Sequence, residues 1–208
     1  MLRSDQTDKA FEFKNIEDLK DFLYSDPSKI DKILFNRNFI RACLKSNLRF
    51  EITKFFMNKV LEENDIRFGP AFRVMAYCQR EGLIPSSSIS SKLDPDNEEV
   101  QLWKKYWVSE IQVAQHIWLL SQNYDAMMET VRGIAAYALF SLKIFQDKNI
   151  NEHKNSYIQL REACDNLRII KRQTYNFLDE EDKAFLDKAI QQMELYESEI
   201  DLNNIVNN

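Results

Sequence analysis

Residues 96–145 read DNEEVQLWKKYWVSEIQVAQHIWLLSQNYDAMMETVRGIAAYALFSLKIF, a stretch that contains all three tryptophans of the 208-residue chain. At 100° per residue, two apolar rows run along residues 97–123. One holds Val100, Trp103, Trp107, Ile111, Ala114 and Trp118; the other holds Leu102, Tyr106, Val113, Ile117, Leu120 and Tyr124. Together they cover about half the helix surface, wider than the single stripe of a surface helix, so neighbours are expected on both rows. The second row continues through Met127, Met128, Val131, Ala135, Ala138, Leu142 and Phe145, whereas the first becomes Asp125, Glu129 and Arg132. The pattern predicts one long central amphipathic helix over about 97–145, or two nearly collinear ones. Ser121-Gln122-Asn123 is then either a break with Asn123 capping a second helix, or the point where one neighbour ends. Gly133 lies in a run of small residues where another part of the chain can approach closely.

The rest of the chain reads as helices packed on this one. Asn15 caps a short helix from Ile16 to Tyr24, Asp26-Pro27 opens another, and further segments begin at Phe39 and Leu48. Gly69-Pro70 starts a helix that Gly82 is expected to end as a glycine stop. Residues 85–96, rich in Ser and Pro, read as a loop or linker. A C-terminal antiparallel helical hairpin follows the central helix, joined by a short connection. Residues 1 to about 14 read as a loose leader with Phe11 and Phe13 pinned to the body, and the end frays after Leu202. The fold class is therefore all-α: a helical bundle around residues 97–145, with an N-terminal unit of short helices over 1–84 and a C-terminal bundle over 97–208. Three glycines and four prolines are too few for sandwiches, barrels or dinucleotide-binding folds.

Net charge is −5, which gives no general attraction to nucleic acid or anionic lipid. Cys43, Cys78 and Cys164 form neither a disulfide framework nor a zinc spacing, and no run is long and apolar enough to cross a bilayer. These features indicate a cytoplasmic protein without membrane partners. Motifs that carry chemistry are missing: there is no Gly-rich phosphate loop, no G-x-S-x-G, and the two histidines do not follow a Glu-x-x-His spacing. No catalytic residue, metal site or cofactor is assigned. Glu110 projects between the apolar rows as a candidate buried carboxylate, expected to pair with a cation or reach solvent.

Charge is segregated along the chain. Between Ser28 and Val60 eight cations, among them Arg37, Arg41, Lys45 and Arg49, face only Asp31 and Glu51, with phenylalanines interleaved. Arg37, Arg41 and Lys45 are four apart and share one helical face. The C-terminal hairpin is acidic. Further on, Ile66-Arg67-Phe68-Gly69 followed by Gln79-Arg80-Glu81-Gly82-Leu83-Ile84 resembles the end of a recognition helix in a winged helix-turn-helix domain. The Ser-rich segment after it lacks a basic, Gly-containing wing, and a glycine stop accounts for the same letters.

The first functional expectation is non-enzymatic binding of another protein, as an adaptor, inhibitor or immunity-type protein, with Trp103, Trp107 and Trp118 as partner-binding candidates. That row also offers a homodimer face. The alternative is nucleic-acid binding through the basic face of the N-terminal half, residues 28–84, and the third reading is an enzyme with a non-obvious site.

Overall fold

The computed structural model describes residues 11–206, with side chains to 200. Residues 1–10 of the leader expected over 1 to about 14, and the last two residues, lie outside the described residues. The described chain is all-α, with nine α-helices and no strand. It forms two compact units that divide between Cys78 and Gln79.

In the first unit, helix α1 (Ile16–Tyr24) starts where the Asn15 side chain accepts a hydrogen bond from the Asp18 amide. After a 3₁₀ turn at Pro27–Lys29 capped by Asp26 come α2 (Ile30–Leu34), α3 (Arg37–Lys45) and α4 (Arg49–Leu61). Asn36 caps α3 by accepting from the amides of Asn38 and Phe39. Leu19, Leu23, Phe39, Ile52, Phe56 and Phe68 are fully buried. Phe11 and Phe13 pack on this unit as expected: their rings meet those of Phe22 and Phe39 with centroids 5.4–6.1 Å apart. Helix α5 (Gly69–Leu83) carries the division between the units. It passes straight through Gly82, and no glycine has positive φ, so the expected glycine stop is not used. The helix ends at Leu83 because Pro85 excludes the helical conformation at the residue before it.

The second unit corrects the long central helix. Residues 98–145 form two helices, α6 (Glu98–Ser121) and α7 (Tyr124–Phe145). Gln122 adopts the left-handed region (φ 52°), reversing the chain, and Asn123 caps α7 by accepting from the Ala126 amide. The helices are antiparallel rather than collinear. Trp107 Nε1 donates to the Gly133 carbonyl at 3.1 Å, and Trp103, earlier in α6, meets Tyr137, later in α7, at 6.4 Å. An added Cβ on Gly133 would sit 3.0 Å from Ile111 Cγ1, so the close approach expected of the small-residue run comes from α6 itself. The tryptophan row of α6 therefore packs against α7, which carries the continuation of the second row from Met127 onward.

Helices α8 (Lys154–Thr174) and α9 (Glu180–Val206) make the expected C-terminal hairpin. Arg168 reaches Glu197 at 2.5 Å, and the Tyr175 hydroxyl donates to Asp187 at 2.6 Å. Helix α9 continues past Leu202, where the sequence reading had it fray. Met127, Met128, Val131, Ala135 and Ala138 of α7 pack with Leu160, Cys164 and Leu167 of α8 and with Leu186, Ala189 and Met193 of α9. Thus α7 alone is the centre of this unit. Residues 85–96 are packed rather than free-running: Ile84 and Ile89 are buried with Val100, Trp103 and Trp107.

Candidate functional site

The most distinctive surface of the first unit is the outer side of α3. Phe39, Ile40 and Cys43 turn inward. At 100° per residue, Arg37, Arg41 and Lys45 fall on the opposite side, successive members rising by about 6 Å. All three are exposed, as is Arg49 at the start of α4, whose guanidinium lies 4.6 Å from the Phe50 ring centroid. Several cations of this unit are paired: Lys20 with Glu17, Lys29 with Asp26, Lys59 with Glu63 and Arg67 with Asp65, all at 2.6–2.7 Å. Arg37, Arg41, Lys45 and Arg49, together with Lys32 and Lys54, form no ion pair with any described residue. From Lys32 to Lys54 these six cations accompany one carboxylate, Glu51. The face thus presents cations with no carboxylate at ion-pair distance among the described residues, although the chain is acidic overall.

Sequence reasoning missed a polar cluster in the second unit. Lys104, in the second turn of α6, is buried; its Nζ lies 3.2 Å from Ser156 Oγ and 3.4 Å from the Pro95 carbonyl. Burial pushes its pKa down to about 8, against the opposing effect of the Asp96 charge. Ser156 also accepts from Gln101 at 2.8 Å and donates to Asp96 at 2.6 Å. His153 Nδ1 sits 2.8 Å from the other Asp96 oxygen and 3.8 Å from Asp94. The Ser156 hydroxyl, ahead of His153, holds the Asp96 carboxyl below its usual range. Asp94, Asp96 and His153 are close enough to share a cation. However, they lie at the N-terminal ends of α6 and α8, where the helix dipoles are positive, and next to buried Lys104, so the local field opposes one. The arrangement instead ties residues 94–96 to the start of α8. No sequence spacing signals it, because its members come from three segments brought together by the fold.

The tryptophan candidates are core residues. Trp103 is wholly buried and Trp107 nearly so, with the Arg80 guanidinium 3.8 Å from the Trp107 ring. Trp118 is half-buried against the α7–α9 core. The first two offer no surface to a partner or a second copy. Glu110 pairs with Arg80 at 2.9 Å, as the pairing expectation held, and Arg80 also reaches Glu81 at 2.9 Å. Burial pushes the Cys43 and Cys164 thiols up to about 12, which leaves them un-ionised and unreactive near neutrality. The segment likened to a recognition helix is α5; among the described residues no strand follows it as a wing. No helix among the described residues is long and apolar enough to cross a membrane. No family model, curated protein or solved structure matches the chain.

Proposed function

We propose that this is a nucleic-acid-binding protein that engages phosphates through the outer face of α3. The observation that carries the reading is the row Arg37, Arg41 and Lys45, exposed and without a carboxylate partner among the described residues. Lys20, Lys29, Lys59 and Arg67 of the same unit each sit beside a carboxylate, whereas the α3 row does not. A row kept free of carboxylates is suited to a polyanion, whose bound counterions it displaces on contact. Arginine adds planar, bidentate geometry toward phosphate. The test is binding of a labelled oligonucleotide at low salt by the full chain and by the Arg37→Ala/Arg41→Ala/Lys45→Ala variant. Affinity falls by an order of magnitude or more in the variant on this reading; absence of binding by the wild type overturns it.

One observation favours a second reading, the binding of another protein. Leu119, Leu120 and Tyr124 are exposed at the α6–α7 turn, and the Tyr124 hydroxyl donates at 3.3 Å to the carbonyl of Phe177, which is itself exposed in the connection between α8 and α9. Contiguous exposed apolar groups of this kind mark protein contacts. Light scattering on the wild type and on Leu119→Glu tests whether the patch supports self-association.

A further inference from the structure

The geometry points to a single strand, rather than a duplex, as the ligand of this face, with the exposed Phe35 and Phe50, which flank the cations in the chain, stacking bases; the inference rests on the nucleic-acid reading above. Phe35 closes α2, immediately before Asn36, which caps α3. Phe50 is the second residue of α4, just beyond the turn that follows Lys45. Their side chains are 67% and 44% exposed, although phenylalanine is the residue this unit otherwise uses to build its core. A single exposed phenylalanine is unremarkable. Here, however, two of them bracket Arg37, Arg41, Lys45 and Arg49, and residues 35–50 contain no carboxylate at all. Among the exposed aromatic and charged side chains the order is thus aromatic, four cations, aromatic, with Phe39 turned into the core.

That order matches the requirements of a single strand. Its bases are unstacked and present their faces, so exposed aromatic rings gain contact area that a duplex, with bases already stacked, denies them. The cations meanwhile track the backbone. Arg37 and Lys45 are separated by about 12 Å of helix rise, enough to engage more than one phosphate of one strand. The Arg49 guanidinium already lies over Phe50 at 4.6 Å. A base placed on that pair extends an existing cation–aromatic stack. Recognition of this type is tolerant of sequence, because every base has a face to stack.

Three labelled probes of equal length, about 15 nucleotides so as to exceed a typical site, separate the contributions: an oligothymidine strand, the same strand with abasic sugars, and the duplex of oligothymidine with oligoadenine. Fluorescence anisotropy with the full chain is expected to rank oligothymidine tightest. The abasic strand and the duplex each bind at least about fivefold more weakly, since one stacked base is worth roughly 1 kcal/mol or more. Phe35→Ala and Phe50→Ala are expected to lose about fivefold each on oligothymidine and little on the abasic strand, while the salt dependence stays that of the wild type. Both side chains are exposed, so an unchanged circular dichroism spectrum and melting temperature verify that the variants fold. Equal affinity for the abasic strand, or a duplex bound as tightly as the single strand, overturns the stacking inference and leaves the phosphate reading standing. Displacement of oligothymidine by polyglutamate at equal charge concentration overturns it as well, since an acidic polypeptide then suffices. Absence of binding to all three probes removes both readings.

Discussion

Replacing Lys104 with methionine removes a charge that folding buries. Lys104 is 3% exposed, with one hydroxyl and one carbonyl at 3.2–3.4 Å and the Phe145 ring 5.7 Å from its Nζ. Burial lowers its pKa from 10.5 to about 8, whereas the unfolded chain keeps the ordinary value. Below about pH 8 both states are charged and the native state bears the full cost of the buried ammonium. As pH rises from 8 towards 10.5, the native state loses this proton first and the unfolded state retains it. The unfolded state then binds more protons, so this group's contribution to stability increases with pH. The difference between 10.5 and about 8 corresponds to about 3 kcal/mol in total. Other groups act in the opposite direction at the upper end: the Cys43 and Cys164 thiols and the Tyr137 phenol are all pushed up to about 12, and they withdraw stability as their unfolded counterparts ionise. They are common to wild type and variant and cancel in the difference. Urea denaturation of both proteins at several pH values provides the test. The stability of the variant relative to wild type is expected to decline by about 3 kcal/mol between about pH 7 and pH 10.5. A difference that stays flat over that range refutes the buried-charge account of Lys104.

Other perturbations bear on the packing. Trp103→Ala should cost about 3–5 kcal/mol, read as a lower melting temperature, because it empties a fully buried site facing Tyr137. Trp107→Glu should unfold the second unit rather than release a monomer, since this ring is internal. Gly133→Ala sets a helix-propensity gain of about 1 kcal/mol against crowding of Ile111, so a double-mutant cycle should show the substitution to be more favourable in an Ile111→Ala background than in the wild type. A fragment of residues 97–208 should melt well below one of residues 79–208, since it lacks Ile84 and Ile89 over Trp103 and Arg80 over Trp107.

The residue pattern of the sequence was sufficient for the all-α class, for the cap at Asn15, for Asn123 as a cap in one of two readings, and for the C-terminal hairpin, because each depends on residues within one or two turns of each other; the Asn36 cap of α3 was not read from it. The path of the chain at Gln122 was less accessible. A non-glycine residue in the left-handed region has no letter of its own, and the continuing row from Met127 onward resembles one more stretch of the same helix. Once the chain reverses there, the tryptophan row faces α7 and stops being a surface, which is why Trp103 and Trp107 looked like contact residues from the sequence. The basic row of α3 was readable because i, i+4 spacing fixes a face locally. Its lack of partners was not, since that depends on where carboxylates from other segments arrive. The Lys104–Ser156–Asp96–His153 cluster was hidden for the same reason.

The most direct test of the phosphate-binding account is the salt dependence of oligothymidine binding, measured in parallel for the wild type and the Arg37→Ala/Arg41→Ala/Lys45→Ala variant. For a single strand, the slope of log K against log salt is roughly −0.7 per neutralised phosphate, so removal of three contacts should make it shallower by about 2. A variant that binds with the wild-type slope, or a wild type whose binding is indifferent to salt, would contradict the assignment of the outer face of α3 as the binding surface.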